Sequence, residues 1–147
     1  MPVKQESRGT KWTRRARKIR RRARRCIDCA GQLSHPESSY CSVCYLKRTA
    51  TRHLGGARYW PELEALLLQQ RNRCAYTGRE IILGVNASLE HVEPVSKAPH
   101  RARSTSNFRW VVQEVNLAKH SLSMGDFITM CKDVLKHLGW VVTRSKK

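Results

Sequence analysis

A chain of 147 residues with 40 % hydrophobic side chains has apolar material for one modest domain, or a small domain carrying a basic extension. Its 29 Lys/Arg against 11 Asp/Glu leave a formal charge of +18, which favours a polyanion: nucleic acid first, an anionic membrane surface second. No apolar run reaches the ~18 residues that suggest a membrane span, and no apolar segment follows the basic start as in a secretory signal. A cytoplasmic, non-secreted protein is therefore expected, and the six cysteines read as thiols or metal ligands before disulfides.

The first 25 residues, MPVKQESRGTKWTRRARKIRRRARR, contain twelve Lys/Arg and one acid, Glu6, and so hold +11 of the +18. Charge at this density repels itself and predicts disorder for the isolated segment. Residues 12–25 lack Gly and Pro, however, and can turn helical on a phosphate backbone. A nucleic-acid-binding arm over residues 1–25, with Arg20, Arg21 and Arg22 among its contacts, fits better than a solubilising tail.

CIDCAGQLSHPESSYCSVCYLKR comes next. Cys26 and Cys29, then Cys41 and Cys44, form two C-x-x-C knuckles separated by eleven residues. Each knuckle turns two thiolates toward one point, and four thiolates complete a tetrahedron around Zn²⁺. Gly31 and Pro36 let the spacer turn back on itself. One structural zinc per chain, in a ribbon module over residues 26–55, is the expectation. Two disulfides are disfavoured by the compartment, and a redox C-x-x-C has no use for a second copy. His35 could replace a thiol, but with four cysteines present it reads as a loop residue.

A third region, residues 60–143, opens with WPELEALLLQQRN. Pro61 suits a first helical turn, and Leu63, Leu66 and Leu67 make an apolar stripe. REIIL (residues 79–83) reads as a strand, GVN as a turn and ASLEH (residues 87–91) as a second strand ending on His91. A polar, basic loop with Pro94 and Pro99 runs from Val92 to Ser106. FRWVV is strand-like, and QEVNLAKH suits a short helix. In SMGDFITMCKDVLKHLG, Ser123 and Asp126 form a capping box; Phe127, Met130, Cys131, Val134, Leu135 and Leu138 recur at helical spacing and are expected in the core.

The stretch SLEHVEPVSK places His91 at a strand end, directly after Glu90. That suits phosphodiester hydrolysis: a histidine takes a proton from water, while a divalent ion held by the carboxylate stabilises charge on the phosphate. Such a site needs a further ligand from a nearby helix and a residue that orients the imidazole. Asn116 and Asn107 stand at suitable places.

In CAYTGREI, ASLEHVEPVSK, SNFRWVVQEVNLAKHSLS and DFITMC, taken in that order, the chain resembles the HNH endonucleases, notably the small HNH proteins of phages and mobile introns and the HNH module of RNA-guided nucleases. The resemblance covers Cys74 to Cys131, about 40 % of the chain. It implies an α+β fold in which a ββα-metal finger packs with flanking helices, here preceded by the zinc ribbon and the basic arm. It also implies metal-dependent cutting or nicking of double-stranded DNA, in a bacterial or infected host cell. His91 would be the general base and Asn107 the residue bracing the loop and His91. Asn116 would hold the third position of an H-N-N variant and share Mg²⁺ or Mn²⁺ with Glu90. Lys119 matches a lysine near a phosphate.

His120 competes with Asn116 for the third position, being one turn away on the same face. Lys97, His100, Arg101 and Arg103 would lie near the DNA backbone, while His53 and His137 read as surface or DNA-facing and Glu93 as a carboxylate either just outside the metal's own ligands or on the surface. Many HNH domains carry their own paired zinc knuckles. Here Cys74 stands at the first place and Thr77 at its partner's, so no second zinc is expected, and Cys74 and Cys131 read as small buried hydrophobes. The competing function is a non-catalytic zinc-ribbon nucleic-acid-binding protein.

Overall fold

The computed structural model describes residues 8–143, with side chains from residue 13 onward, so the first seven residues of the basic arm lie outside the described residues. Among the described residues the chain is α+β, with five α-helices around a two-stranded antiparallel sheet. No described helix is long and apolar enough to cross a membrane.

The basic arm is helical over α1 (Arg8–Arg22) rather than disordered. Its C-terminal half is tied down internally. The Arg17 guanidinium pairs with Asp28 at 3.2 Å, and Arg20 donates to the Ile27 and Asp28 carbonyls at 3.0 and 2.8 Å. Part of the charge expected to meet phosphate thus holds the arm against the first knuckle.

The second knuckle leads into a helix that sequence reading did not single out, α2 (Ser42–Leu54). Cys41 sits at its N-cap, and Gly55, at φ 81°, ends it in the left-handed conformation that glycine adopts without strain. Its buried residues, Leu46, Ala50 and Leu54, recur every four positions. Helix α3 (Trp60–Gln69) has Pro61 in its first turn and buries Leu63 and Leu67. The expected strand over 79–83 does not form. Only one isolated bridge, Arg73↔Glu80, is present. The Asn86 side chain accepts the Ile82 N–H (2.7 Å) and donates to the Glu80 carbonyl (3.0 Å), bending the segment into a turn.

The sheet pairs β1 (Ala87–His91) with β2 (Phe108–Val112), in a register that sets His91 opposite Phe108 and Glu90 opposite Arg109. Helix α4 (Gln113–Lys119) follows, then α5 (Met124–His137), where Ser123 caps the Asp126 N–H at 3.1 Å. One apolar cluster joins Leu46, Ala50 and Leu54 of α2 to Leu63, Leu67, Cys74, Ile81, Leu89, Phe108 and Trp110. Trp110 is fully buried and donates its indole N–H to the Leu63 carbonyl (2.8 Å), leaving no orphan polar atom.

The apolar stripe of α5 is not part of this core. No residue of α5 is buried, and Met130, Val134, Leu135 and Leu138 are between 38 % and 66 % exposed. Cys74 is buried, but Cys131 is only half-buried. Helical periodicity defines an amphipathic helix; it does not supply the element that would cover it.

Candidate functional site

The four cysteine sulfurs of residues 26–44 lie within 4.8 Å of one another, with Cys29 and Cys41 at 3.7 Å. A tetrahedral Zn(Cys)₄ centre with ~2.3 Å bonds has S···S edges of about 3.8 Å. The group is therefore spaced to hold a zinc ion. Burial pushes the Cys26 thiol up, but backbone N–H groups of Cys29, Cys41 and Asp28 outweigh it and bring it down to about 6. Burial first, and then neighbouring sulfurs, raise Cys44; burial also raises Cys41. The raised Cys41 and Cys44 thiols reflect the cost of gathering several thiolates at one point, a cost that a bound dication would offset. His35 accepts the Glu37 N–H at its Nδ1 (3.2 Å) and is not one of the clustered ligands.

The second constellation is built on the hairpin. Strand alternation sends Ser88 and Glu90 toward α4, while His91 joins Leu89 on the face toward α2. On the α4 side, Asn116 donates to the Ser88 hydroxyl (2.6 Å), and the Lys119 ammonium pairs with Glu90 Oε1 at 2.6 Å while donating to the His91 carbonyl at 3.1 Å. The Lys119 side chain is 0 % exposed and that of Glu90 4 %. Lys119, expected beside a phosphate, is instead the internal counter-charge of Glu90, because an ionised carboxylate in a buried site needs a partner. Tyr76, whose buried hydroxyl has no hydrogen-bond partner, is pushed up to about 12 by burial and the Glu90 charge.

His91 Nε2 lies 3.0 Å from the Ala102 carbonyl. A carbonyl only accepts, so Nε2 carries the proton and Nδ1 is left as the ring's lone-pair nitrogen. The loop supplying that carbonyl is pinned by Asn107, which is fully buried: Oδ1 accepts the Glu93 N–H (2.9 Å), and Nδ2 donates to the carbonyls of Glu93 (3.0 Å) and Arg101 (3.4 Å). Asn107 therefore acts on His91 through the loop and not by direct contact.

Glu90, His91, Asn116 and His120 line one cleft of about 390 Å³. His120 is held at φ 46° and ψ −120°, outside the regions non-glycine residues favour, with its ring on the Ser121 hydroxyl at 3.1 Å. The cleft also contains His53, at the C-terminal end of α2, with ring centroids 5.9 Å from His91 and 5.8 Å from Phe108. Sequence reading left His53 as a surface or DNA-facing residue with no constellation around it. Nothing local marks it, since it meets His91 only when α2 docks on the hairpin.

The other basic residues are divided between internal pairs and solvent. Lys97 pairs with Asp126 (3.2 Å) and Arg101 with Glu93 (2.8 Å), whereas Arg103 extends its guanidinium over Gly55. His100 and His137 are exposed, as are Arg21 and Arg22 on α1. No protein-family model matches the chain, and no curated protein matches it.

Proposed function

We propose that the protein is a metal-dependent DNA endonuclease of the HNH type, with β1, β2 and α4 as its ββα-metal finger and the zinc ribbon and basic arm as DNA-binding attachments. The observation that carries this reading is the His91–Ala102 bond on a loop pinned by Asn107. It fixes the imidazole tautomer and presents a nitrogen able to accept a proton from water. Glu90 and Asn116 offer a carboxylate and an amide oxygen, hard donors of the kind Mg²⁺ or Mn²⁺ takes when water and phosphate complete its shell. An ion held there would stabilise charge on the phosphate and the leaving oxygen. His91 Nδ1 takes a proton from water as the water oxygen bonds to phosphorus. The P–O3′ bond breaks and the departing O3′ takes a proton from solvent water, leaving a 5′-phosphate and a 3′-hydroxyl.

One observation favours the alternative, a non-catalytic nucleic-acid-binding protein: the buried Lys119 ammonium supplies a counter-charge to Glu90 at 2.6 Å. Plasmid incubated with and without Mg²⁺ separates the two readings. Magnesium-dependent nicking or linearisation, reduced about 10²- to 10⁴-fold by His91→Ala with DNA binding retained, is expected for the nuclease. Asn107→Ala is expected to lower the rate without raising the metal requirement, while Asn116→Ala raises that requirement. A loss from His120→Ala equal to that from Asn116→Ala would assign the third position to His120. Cleavage by His91→Ala at the wild-type rate would sink the assignment.

A further inference from the structure

Beside the cleft of His91 lies a larger groove of about 730 Å³, floored by the first residues of β1 and walled by α2. The two depressions share His53, Leu89, Asn116 and Leu117, so they adjoin. Arg48 and Arg52, one helical turn apart on α2, both line this groove, and none of its lining residues is acidic. Arg48 has an acidic partner, Asp28, which does not line the groove; Arg52 has none among the described residues.

The two arginines are held differently. Arg48 is oriented by the ribbon: Asp28, between the first two cysteines, pairs with it at 3.2 Å, and its guanidinium stacks 5.0 Å from the Tyr40 ring centroid. The Arg52 side chain makes no hydrogen bond or ion pair among the described residues and is exposed. Ser88 and Gln113 add a hydroxyl and an amide to the groove wall, groups that bond phosphate oxygens readily.

We propose that this groove is the track along which a polynucleotide backbone reaches the His91 cleft, with Arg52 as a phosphate anchor and Arg48 as a second cation preset by the zinc ribbon. The function of the track rests on the nuclease reading, but its binding of phosphodiester does not. A guanidinium takes phosphate oxygens two at a time, which suits a backbone running past without sequence selection. The ribbon then has a mechanical part in recognition: Cys41 caps the same α2 that carries both arginines and His53.

The test uses full-length, zinc-loaded protein and fluorescently labelled duplex DNA, with anisotropy read over a range of KCl in the absence of divalent metal. Arg52→Glu is compared with Lys47→Glu, an identical charge change at an exposed position of the same helix that does not line the groove. Arg52→Glu is expected to weaken binding about tenfold or more, and Lys47→Glu less than about threefold. Arg52→Gln should flatten the slope of log affinity against log salt by about 0.9, the loss of one phosphate contact. Zinc content and melting temperature establish that each variant folds, and the glutamine variant carries the test if the charge reversal does not.

Equal losses from Arg52→Glu and Lys47→Glu would reduce the effect to the overall field and overturn the track, as would an unchanged slope for Arg52→Gln. Plasmid incubated with the wild-type protein and Mg²⁺ separates this proposal from the enzymatic one. A selective Arg52 loss in a protein that never cuts plasmid leaves the track standing and removes the nuclease. Robust cleavage with no Arg52 selectivity does the reverse.

Discussion

Residues 24–32 and 72–80 follow one backbone path to different ends. Each begins at a left-handed residue, Arg24 (φ 51°) or Asn72 (φ 56°), and closes an isolated antiparallel bridge, Arg25↔Gln32 or Arg73↔Glu80. The Cys26 N–H donates to Gly31 (2.9 Å) as that of Cys74 does to Arg79 (2.7 Å). Ala30 and Gly78, both at positive φ, donate back to the first cysteine's carbonyl at 2.8 and 2.9 Å. The correspondence extends to side chains: Gly31 N–H meets Cys29 Sγ at 3.3 Å, and Arg79 N–H meets Thr77 Oγ1 at 3.4 Å.

The first turn delivers its sulfurs to a four-thiol group. In the second, Cys74 is in the apolar core, and Ala75 donates to the Trp110 carbonyl at 3.0 Å. The knuckle is thus drawn by local hydrogen bonds and one left-handed residue. What differs is what anchors it, thiols gathered at one point or burial against a tryptophan.

Metal removal tests that contrast most severely. Cys26→Ser, or a strong chelator, is expected to abolish bound zinc and release residues 26–44 and the attached α1, seen as lost amide-exchange protection there, because structural zinc contributes folding energy outright. Cys74→Ala, at the matching place, should cost only about 1–2 kcal/mol in denaturant melts, the transfer and cavity cost of one small side chain. Equal losses would make the two anchors equivalent after all.

The second largest effect concerns the buried pair beside the second knuckle. Lys119→Met should destabilise by about 3–5 kcal/mol, since it leaves Glu90 charged and unpaired in a buried site. Glu90→Gln added to Lys119→Met should recover most of it, which a double-mutant cycle by urea denaturation would measure. Lack of recovery would mean that Lys119 acts by shape and not by charge.

At the cleft between α2 and the hairpin, pH gives a gentler probe. Burial, then the neighbouring charges of His91 and Arg52, hold His53 down at about 4, against 6.5 for a free histidine. Between those values the unfolded chain binds more protons than the folded one, so stability at His53 is present above pH ~6.5 and is lost as pH falls toward 4. Thermal melts over pH 4–7 should show this slope, and His53→Gln should reduce it.

The smallest effect lies in the turns themselves. Ala30→Gly should stabilise the first knuckle by about 1 kcal/mol by relieving positive φ, and Gly78→Ala should destabilise the second by about as much. A Cβ at Gly78 meets nothing within 4 Å, so backbone strain alone is read there. A null result at both positions would show that the left-handed residue is not what shapes the knuckle.

Sequence spacing by itself determined what depends on near neighbours. Two C-x-x-C turns bring four thiols together, ASLEH and FRWVV alternate as strands, and Ser123 with Asp126 starts a helix, because each pattern is satisfied within a stretch of about 25 residues or fewer. Tertiary structure alone decided the rest. His53 reaches His91 across 38 positions of chain, Lys119 is claimed by Glu90, Asn86 turns REIIL away from the sheet, and the stripe of α5 is left facing solvent. A periodic pattern specifies which face of an element is apolar or charged. Which surface comes to lie opposite that face is set by contacts distant in the chain, and the burial, pairing and access of every residue in the His91 cleft follow from those contacts.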